Sequence, residues 1–204
     1  MYNNSIKEFT TNLSSAAPVP GGGGASALMG SVASSLCSMV ANLTTGKKKY
    51  AEYQPDIDRI LSGVGELTNE ILELINKDAE AFEPLSKAYS IPKEQEGREE
   101  ILENALRVAS DAPFEIVSKM TAVADLIEEL AVKGSRLAIS DVGVAACACE
   151  AAVKGASMNV YINTKLMKDR AYAEEMNKKT DSIVNDVCRR CEEAYNKVLE
   201  GLRG

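Results

Sequence analysis

Two stretches of this chain have no polar side. The span 25–42 carries Ala27, Gly30, Ser31, Ser34, Ser35 and Ser38, and the span 139–158 carries Gly143, Ala145, Ala146, Ala148, Ala151 and Ala152. A helix that is apolar or small all round has to be enclosed on all sides. Small residues also let helix axes approach closely, or leave room for a flat ligand. Either use calls for other helices to surround these two, and the rest of the chain supplies them. Ile57, Ile60, Leu61, Val64, Leu67, Ile71, Ile75, Ala79, Phe82 and Leu85 recur every three or four residues, the period of one helix face. Pro92 interrupts that run. A second pattern passes through Ile101, Leu102, Ala105, Leu106 and Ala109, and Ser110-Asp111-Ala112-Pro113 then reads as a cap with a first-turn proline. A third pattern follows from Ile116 to Leu130, and a last one from Met176 to Leu202. No strand-like alternation appears. The expected architecture is all-α, an up-and-down helical bundle in one domain over residues 1–204, dimeric through a small-residue face.

Composition agrees. Of 204 residues, 45% are apolar but only 5% aromatic, with three Phe and no Trp. A core of Ala, Val, Leu, Ile and Met favours helices over a sandwich or barrel. The formal charge is −7, and between Glu52 and Glu129 seven basic residues face nineteen acidic ones. A nucleic-acid partner is not expected, because phosphate neutralisation needs a basic face. The chain has no histidine, which removes Ser-His-Asp and Cys-His nucleophilic chemistry and any His-ligated metal. Five cysteines make an odd count, and the start MYNNSIKEF has no apolar run, so free thiols in a reducing cytoplasm are expected. Cys188-Arg-Arg-Cys191 lies in a helical pattern with no second ligand pair and reads as two small residues on a buried face. The run Ala25–Ala41 approaches membrane-span length, but it is rich in Ser, Ala and Gly and has no positive flank asymmetry. It reads as a buried helix with no membrane role.

Chemistry gathers at the ends of the two small-residue stretches. Pro18-Val19-Pro20-Gly21-Gly22-Gly23-Gly24 precedes the first. Four glycines are entropically costly, so the segment needs either positive φ or close backbone approach. A glycine loop feeding a helix offers free N–H groups to an anion or polar ring, while a flexible linker is the plainer reading. Thr44-Thr45-Gly46-Lys47-Lys48-Lys49-Tyr50 closes the same helix. Its lysines suit a helix C-terminus, and equally a carboxylate or phosphate site. Asp141, amid Ala, Val and Gly in Ser140-Asp141-Val142-Gly143, needs a partner or a purpose if buried. Asp78 is a second candidate, with pairing to Lys77 or Lys87 as its plainer explanation.

PVPGGGGASALMGSVASSLCSMVANLTTGKKKY, then DAEAF, IPK, SDVGVAA and NVYIN, together resemble the cyclodeaminase/cyclohydrolase family over essentially the whole chain. Its most specific part is the glycine block leading to MVANLTTGKKKY; a fourth glycine, Gly24, stands where the family often has Ser. The resemblance implies an all-α dimer that binds a reduced folate between helices, with or without a polyglutamate tail, and uses neither metal nor separate cofactor. It implies chemistry on the methenyl-tetrahydrofolate amidinium: hydrolysis of 5,10-methenyltetrahydrofolate to 10-formyltetrahydrofolate, or formation of the same cation from formimidoyltetrahydrofolate with loss of ammonia. No transferase segment precedes the bundle here, which favours the hydrolytic reaction. The rival from another class is a non-catalytic helical folate binder. For the enzyme, Asp141 is the expected carboxylate, with Lys48 or Lys49 as its cationic partner and Asp78 in reserve; a carboxylate-lysine couple can move both pKa values toward neutrality. Substrate contacts are expected at Pro20, Gly21, Gly22, Gly23, Asn42, Lys47, Ser140, Gly143 and Asn163.

Overall fold

The computed structural model describes residues 3–204, and among them there is no strand. A short helix α1 (Ile6–Leu13) is closed at its start by a capping box, Ser5 with Glu8, and buries Phe9. Five long helices follow: α2 (Gly22–Asn42), α3 (Gln54–Tyr89), α4 (Arg98–Lys133), α5 (Ile139–Thr164) and α6 (Arg170–Arg203). The lateral pairs fix their directions. Gly24 and Ser34 of α2 bond to Asp78 and Thr68 of α3, so those two run antiparallel. Arg59 pairs with Glu129 and Lys77 with Glu115, which sets α4 antiparallel to α3. Tyr161 donates to Asp181, and Gly143 lies against Val198, so α6 reverses α5. The bundle is up-and-down, with α6 parallel to α4 and tied to it by the buried Arg190, which pairs with Asp125 and Glu128.

Helix α5 is the central element, packing against α2, α4 and α6. Its small residues make that possible. A Cβ on Gly155 would come within 2.5 Å of Ser26 Oγ, and one on Gly30 of α2 within 2.7 Å of Met120 Cε. The large core side chains come mainly from α3 and α4: Ile57, Ile60, Ile71, Leu74, Leu106, Ile116, Met120, Ile127 and Leu130 are all essentially inaccessible. Helix α2 is long and apolar enough to cross a membrane by length and composition, but 56% of its most apolar window is buried against its neighbours. It serves as a core helix. Cys37, Cys149 and Cys191 are buried thiols, Cys147 is exposed, and none is paired in a disulfide.

Two expectations need correction. Pro113 does not begin a helix; α4 runs unbroken from Arg98 through it to Lys133. Tertiary packing on both sides of the proline outweighs the backbone bond that it removes. The glycines are likewise not a loop before α2, because Gly22, Gly23 and Gly24 are its first turn.

Candidate active site

The first turn of α2 begins at Gly21, which has no side chain to cap it. Its leading N–H groups therefore need acceptors from elsewhere. Asp78, two thirds of the way along α3, supplies one: its Oδ2 accepts from Gly24 N–H at 3.0 Å. The glycines are there for approach, not for unusual φ, since none of the four has a positive φ. A Cβ on Gly23 would lie 2.1 Å from Asp78 Oδ1, and one on Gly22 would lie 3.1 Å from Asn159 Nδ2. Lys77 and Lys87 do not pair with Asp78; they pair with Glu115 and Glu83. Burial pushes the Asp78 carboxyl above its ordinary value, and the Gly24 N–H only partly offsets this.

This carboxylate faces a cavity of about 150 Å³, with the first turn of α2 on one side and Asn159 and Asn163 of α5 on the other. Phe82 of α3 and Pro113 of α4 close it, and the 18–21 segment lies across it. Pro113 has a specific effect here. It lacks an N–H, so the carbonyl four residues back, that of Ala109, has no partner in the helical ladder. Asn163 Nδ2 donates to that carbonyl at 2.9 Å. Pro18, Val19 and Phe82 also line a neighbouring groove of about 410 Å³ along α3, mostly apolar in its exposed surface, with Ala79, Ser86 and the charged Glu80, Glu83 and Lys87 completing it. A compact polar chamber beside a mostly apolar trough suits a flat heterocycle bearing an aromatic arm.

Gly21, Gly22, Gly23, Asp78 and Asn163 thus come together at one place. Pro20 is buried just behind, against the side of Gly24. The other expected residues lie at the opposite end of the bundle. Asp141 is in the first turn of α5, about 27 Å along the helix from Asn159 at ~1.5 Å per residue. It is half-buried, and among the described residues it forms no ion pair with Lys48 or Lys49, which are exposed. Lys47 Nζ donates to Ser135 Oγ at 3.1 Å, and Tyr50 Oη accepts from Arg136 N–H. That N–H, with Lys47 and Lys49 nearby, holds the Tyr50 phenol below its ordinary pKa. Asn42 is exposed, its amide turned back to Ser38. Ser140 and Gly143 line a separate apolar groove between α5 and α6. Asn159, Phe82 and Pro113 were not among the expected site residues, although the sequence pattern places Phe82 on a helix face and Pro113 at a helix start. The signal was there for Asn159: in NVYIN the two asparagines are four apart, hence on one helix face.

Residues 5–182 match the family model of formiminotransferase-cyclodeaminase. The chain belongs to that family. It is 38% identical to a methenyltetrahydrofolate cyclohydrolase of Methylorubrum extorquens over 96% of each protein. It is 27% identical to the mouse formimidoyltransferase-cyclodeaminase over 91% of this chain, which spans only 35% of that longer protein. In three dimensions it resembles the formiminotetrahydrofolate cyclodeaminase of Thermotoga maritima, with a TM-score of 0.84, 32% identity, and 97% and 98% of the two chains covered. Among described residues, this member of the formiminotransferase-cyclodeaminase family has no group of three or more His, Cys, Asp or Glu side chains arranged to hold a metal ion.

Proposed function

We propose that this chain hydrolyses 5,10-methenyltetrahydrofolate to 10-formyltetrahydrofolate, with Asp78 as the carboxylate that handles the proton. The observation that carries the reading is the Asp78 carboxyl, held by Gly24 N–H and facing a chamber whose size and polarity suit a pterin. The full-length similarity to a cyclohydrolase supports the choice of reaction. The substrate is a cation, its charge spread over N5, N10 and the carbon between them. An opposite charge favours the carboxylate form, so binding reverses the effect of burial and readies Asp78 as a base. Asp78 takes one proton from water as the oxygen bonds to the bridging carbon. The resulting carbinolamine is neutral. Asp78 then returns that proton to N5, the C–N5 bond breaks, and the carbinol hydroxyl loses its proton as the formyl carbonyl forms on N10. Water and the cation give the formyl product and one proton. No histidine is required, and we propose no resident metal or cofactor; activity is expected to be unchanged by EDTA.

The T. maritima structure favours a second reading, cyclodeamination, in which the same cation forms from the formimidoyl adduct as ammonia leaves. Paired steady-state assays separate the two: ring opening of methenyl-tetrahydrofolate, and ammonia release from formimidoyl-tetrahydrofolate. Hydrolysis is expected to have the higher kcat/KM. If ammonia release exceeds it by about tenfold, ~1.4 kcal/mol of transition-state preference, cyclodeamination is the function. Activity in neither assay above the buffer rate leaves a folate binder.

We also propose a homodimer acting in a reducing cytoplasm, consistent with five unpaired thiols. Its support is the set of exposed apolar side chains on the neighbouring helices α2 and α5, Val32 and Met39 on the first and Val144, Met158 and Ile162 on the second; Met158 is 61% exposed and Ile162 57%. A two-fold axis crossing these helices sets the glycine turn of one protomer beside the far end of its partner. Asp141, Lys48 and Lys49 then serve the neighbouring site, and the basic end receives the folate glutamate tail.

A further inference from the structure

Asn159 and Asn163 project from one face of α5 into the cavity, and each has its amide nitrogen tied to a main-chain carbonyl. Asn159 Nδ2 donates to Gly155 O, and Asn163 Nδ2 to Ala109 O, both at 2.9 Å. The second tether exists because Pro113 cannot donate to Ala109. Each tether fixes its amide with one N–H, and among the described residues neither Oδ1 accepts a hydrogen bond, so both are free acceptors on residues that line the cavity. Asp78 adds a third acceptor opposite them. These free acceptors suit a ligand edge built of donors.

The 2-amino-4-oxo pterin ring has such an edge, formed by its 2-amino group and N3–H. We propose that Asn159 and Asn163 are the specificity-determining residues of the site, their Oδ1 atoms accepting from this edge and so fixing the ring with its bridging carbon toward Asp78. The division of labour follows from charge. Neutral amides bind neutral donors without competing for the cation, and the one carboxylate is left for the reacting carbon. Gly22 is part of the device, since a side chain there would press on the Asn159 amide. The inference rests on the folate reading above, but its failure can be told from the failure of that reading.

The test is equilibrium binding of 5-formyltetrahydrofolate and its 2-desamino-2-methyl analogue, by calorimetry, to wild type, Asn163→Leu, Asn159→Ala and Asp78→Asn. Wild type is expected to bind the desamino analogue at least tenfold more weakly, because an acceptor is left unpaired in the closed site. Asn163→Leu and Asn159→Ala are expected to lower that ratio, and Asp78→Asn to keep it. Asn159 is the less buried of the two, so its variant also carries the test if Asn163→Leu fails to fold. In turnover, both asparagine variants should raise KM for the intact substrate severalfold more than they change kcat. Equal binding of the two ligands by wild type, or an undiminished ratio in the variants, overturns the inference while leaving the folate reading intact. If wild type binds neither ligand, the folate reading fails and the inference with it.

Discussion

At the residue scale the site depends on a carboxyl and the glycine that makes room for it. Asp78→Asn keeps the shape and an oxygen that can accept from Gly24 N–H, so the fold should persist while kcat falls by about 10²–10⁴, the usual range for loss of a positioned acid-base group. Circular dichroism and steady-state assays check both halves. Gly23→Ala places a methyl 2.1 Å from Asp78 Oδ1, and the short side chain cannot yield without leaving its position. A displacement of this kind is expected to lower kcat/KM by about 10². The pH dependence has a definite sign. The folded carboxyl binds its proton more tightly than the unfolded one, whose ordinary value is near 3.8, so the native state holds more protons just above that pH. Asp78 therefore makes stability fall as pH rises through the window from the ordinary value up to the raised one. The paired carboxyls of Asp56, Asp169 and Asp186 shift downward and act in the opposite sense. The difference in Tm between wild type and Asp78→Asn, followed from pH 3.5 to 6, isolates the Asp78 contribution; a flat difference would show that the carboxyl is not perturbed. In the same direction, the acid limb of kcat/KM should lie above the ordinary aspartate range.

At the element scale, α4 carries a defect that the site uses. An interior proline costs a helix about 3 kcal/mol relative to alanine. Here it frees the Ala109 carbonyl for Asn163. Pro113→Ala restores an N–H that can close the ladder to Ala109 and compete with that tether. The expected result is a higher Tm together with a KM raised severalfold, kcat changing less. If KM is unchanged, the Asn163 amide does not depend on the proline. The reverse arrangement holds in α2, whose first turn has no cap of its own and borrows one from α3.

At the scale of the whole molecule, the residues expected to act together lie at two ends of a bundle about as long as its longer helices. Within one chain, Asp141 cannot reach the Asp78 cavity. The proposed dimer makes a direct prediction. Asp78→Asn and Asp141→Asn, each inactive alone, should regain up to about a quarter of the wild-type activity per protomer when unfolded and refolded together, since half of the protomers then enter mixed dimers and each such dimer has one intact site. No recovery, or a 21.9 kDa monomer in sedimentation at micromolar concentration, overturns the shared site. Met158→Glu, among the exposed apolar side chains of α2 and α5, should produce such a monomer and abolish turnover in parallel.

The sequence alone determined the class of the fold and the places where chemistry gathers. The 3.6-residue period from Ile57 to Leu85, the two stretches without a polar side and the lack of histidine are local facts, and local facts are what a sequence states directly. It also marked the glycine block and Asn163. It did not rank Asp78 above Asp141, because both are acidic residues near small or apolar neighbours and burial depends on what packs against them. Nor did it give Pro113 its place, since a proline after Ser-Asp-Ala marks a helix start by every local rule. Only the tertiary structure decided these. Antiparallel packing of α3 on α2 brings position 78 to the glycine turn, 54 residues away in the chain, and α5 brings an asparagine to the one carbonyl that the proline left free. Contacts between distant residues follow from the register of packed helices, which no single stretch of sequence contains.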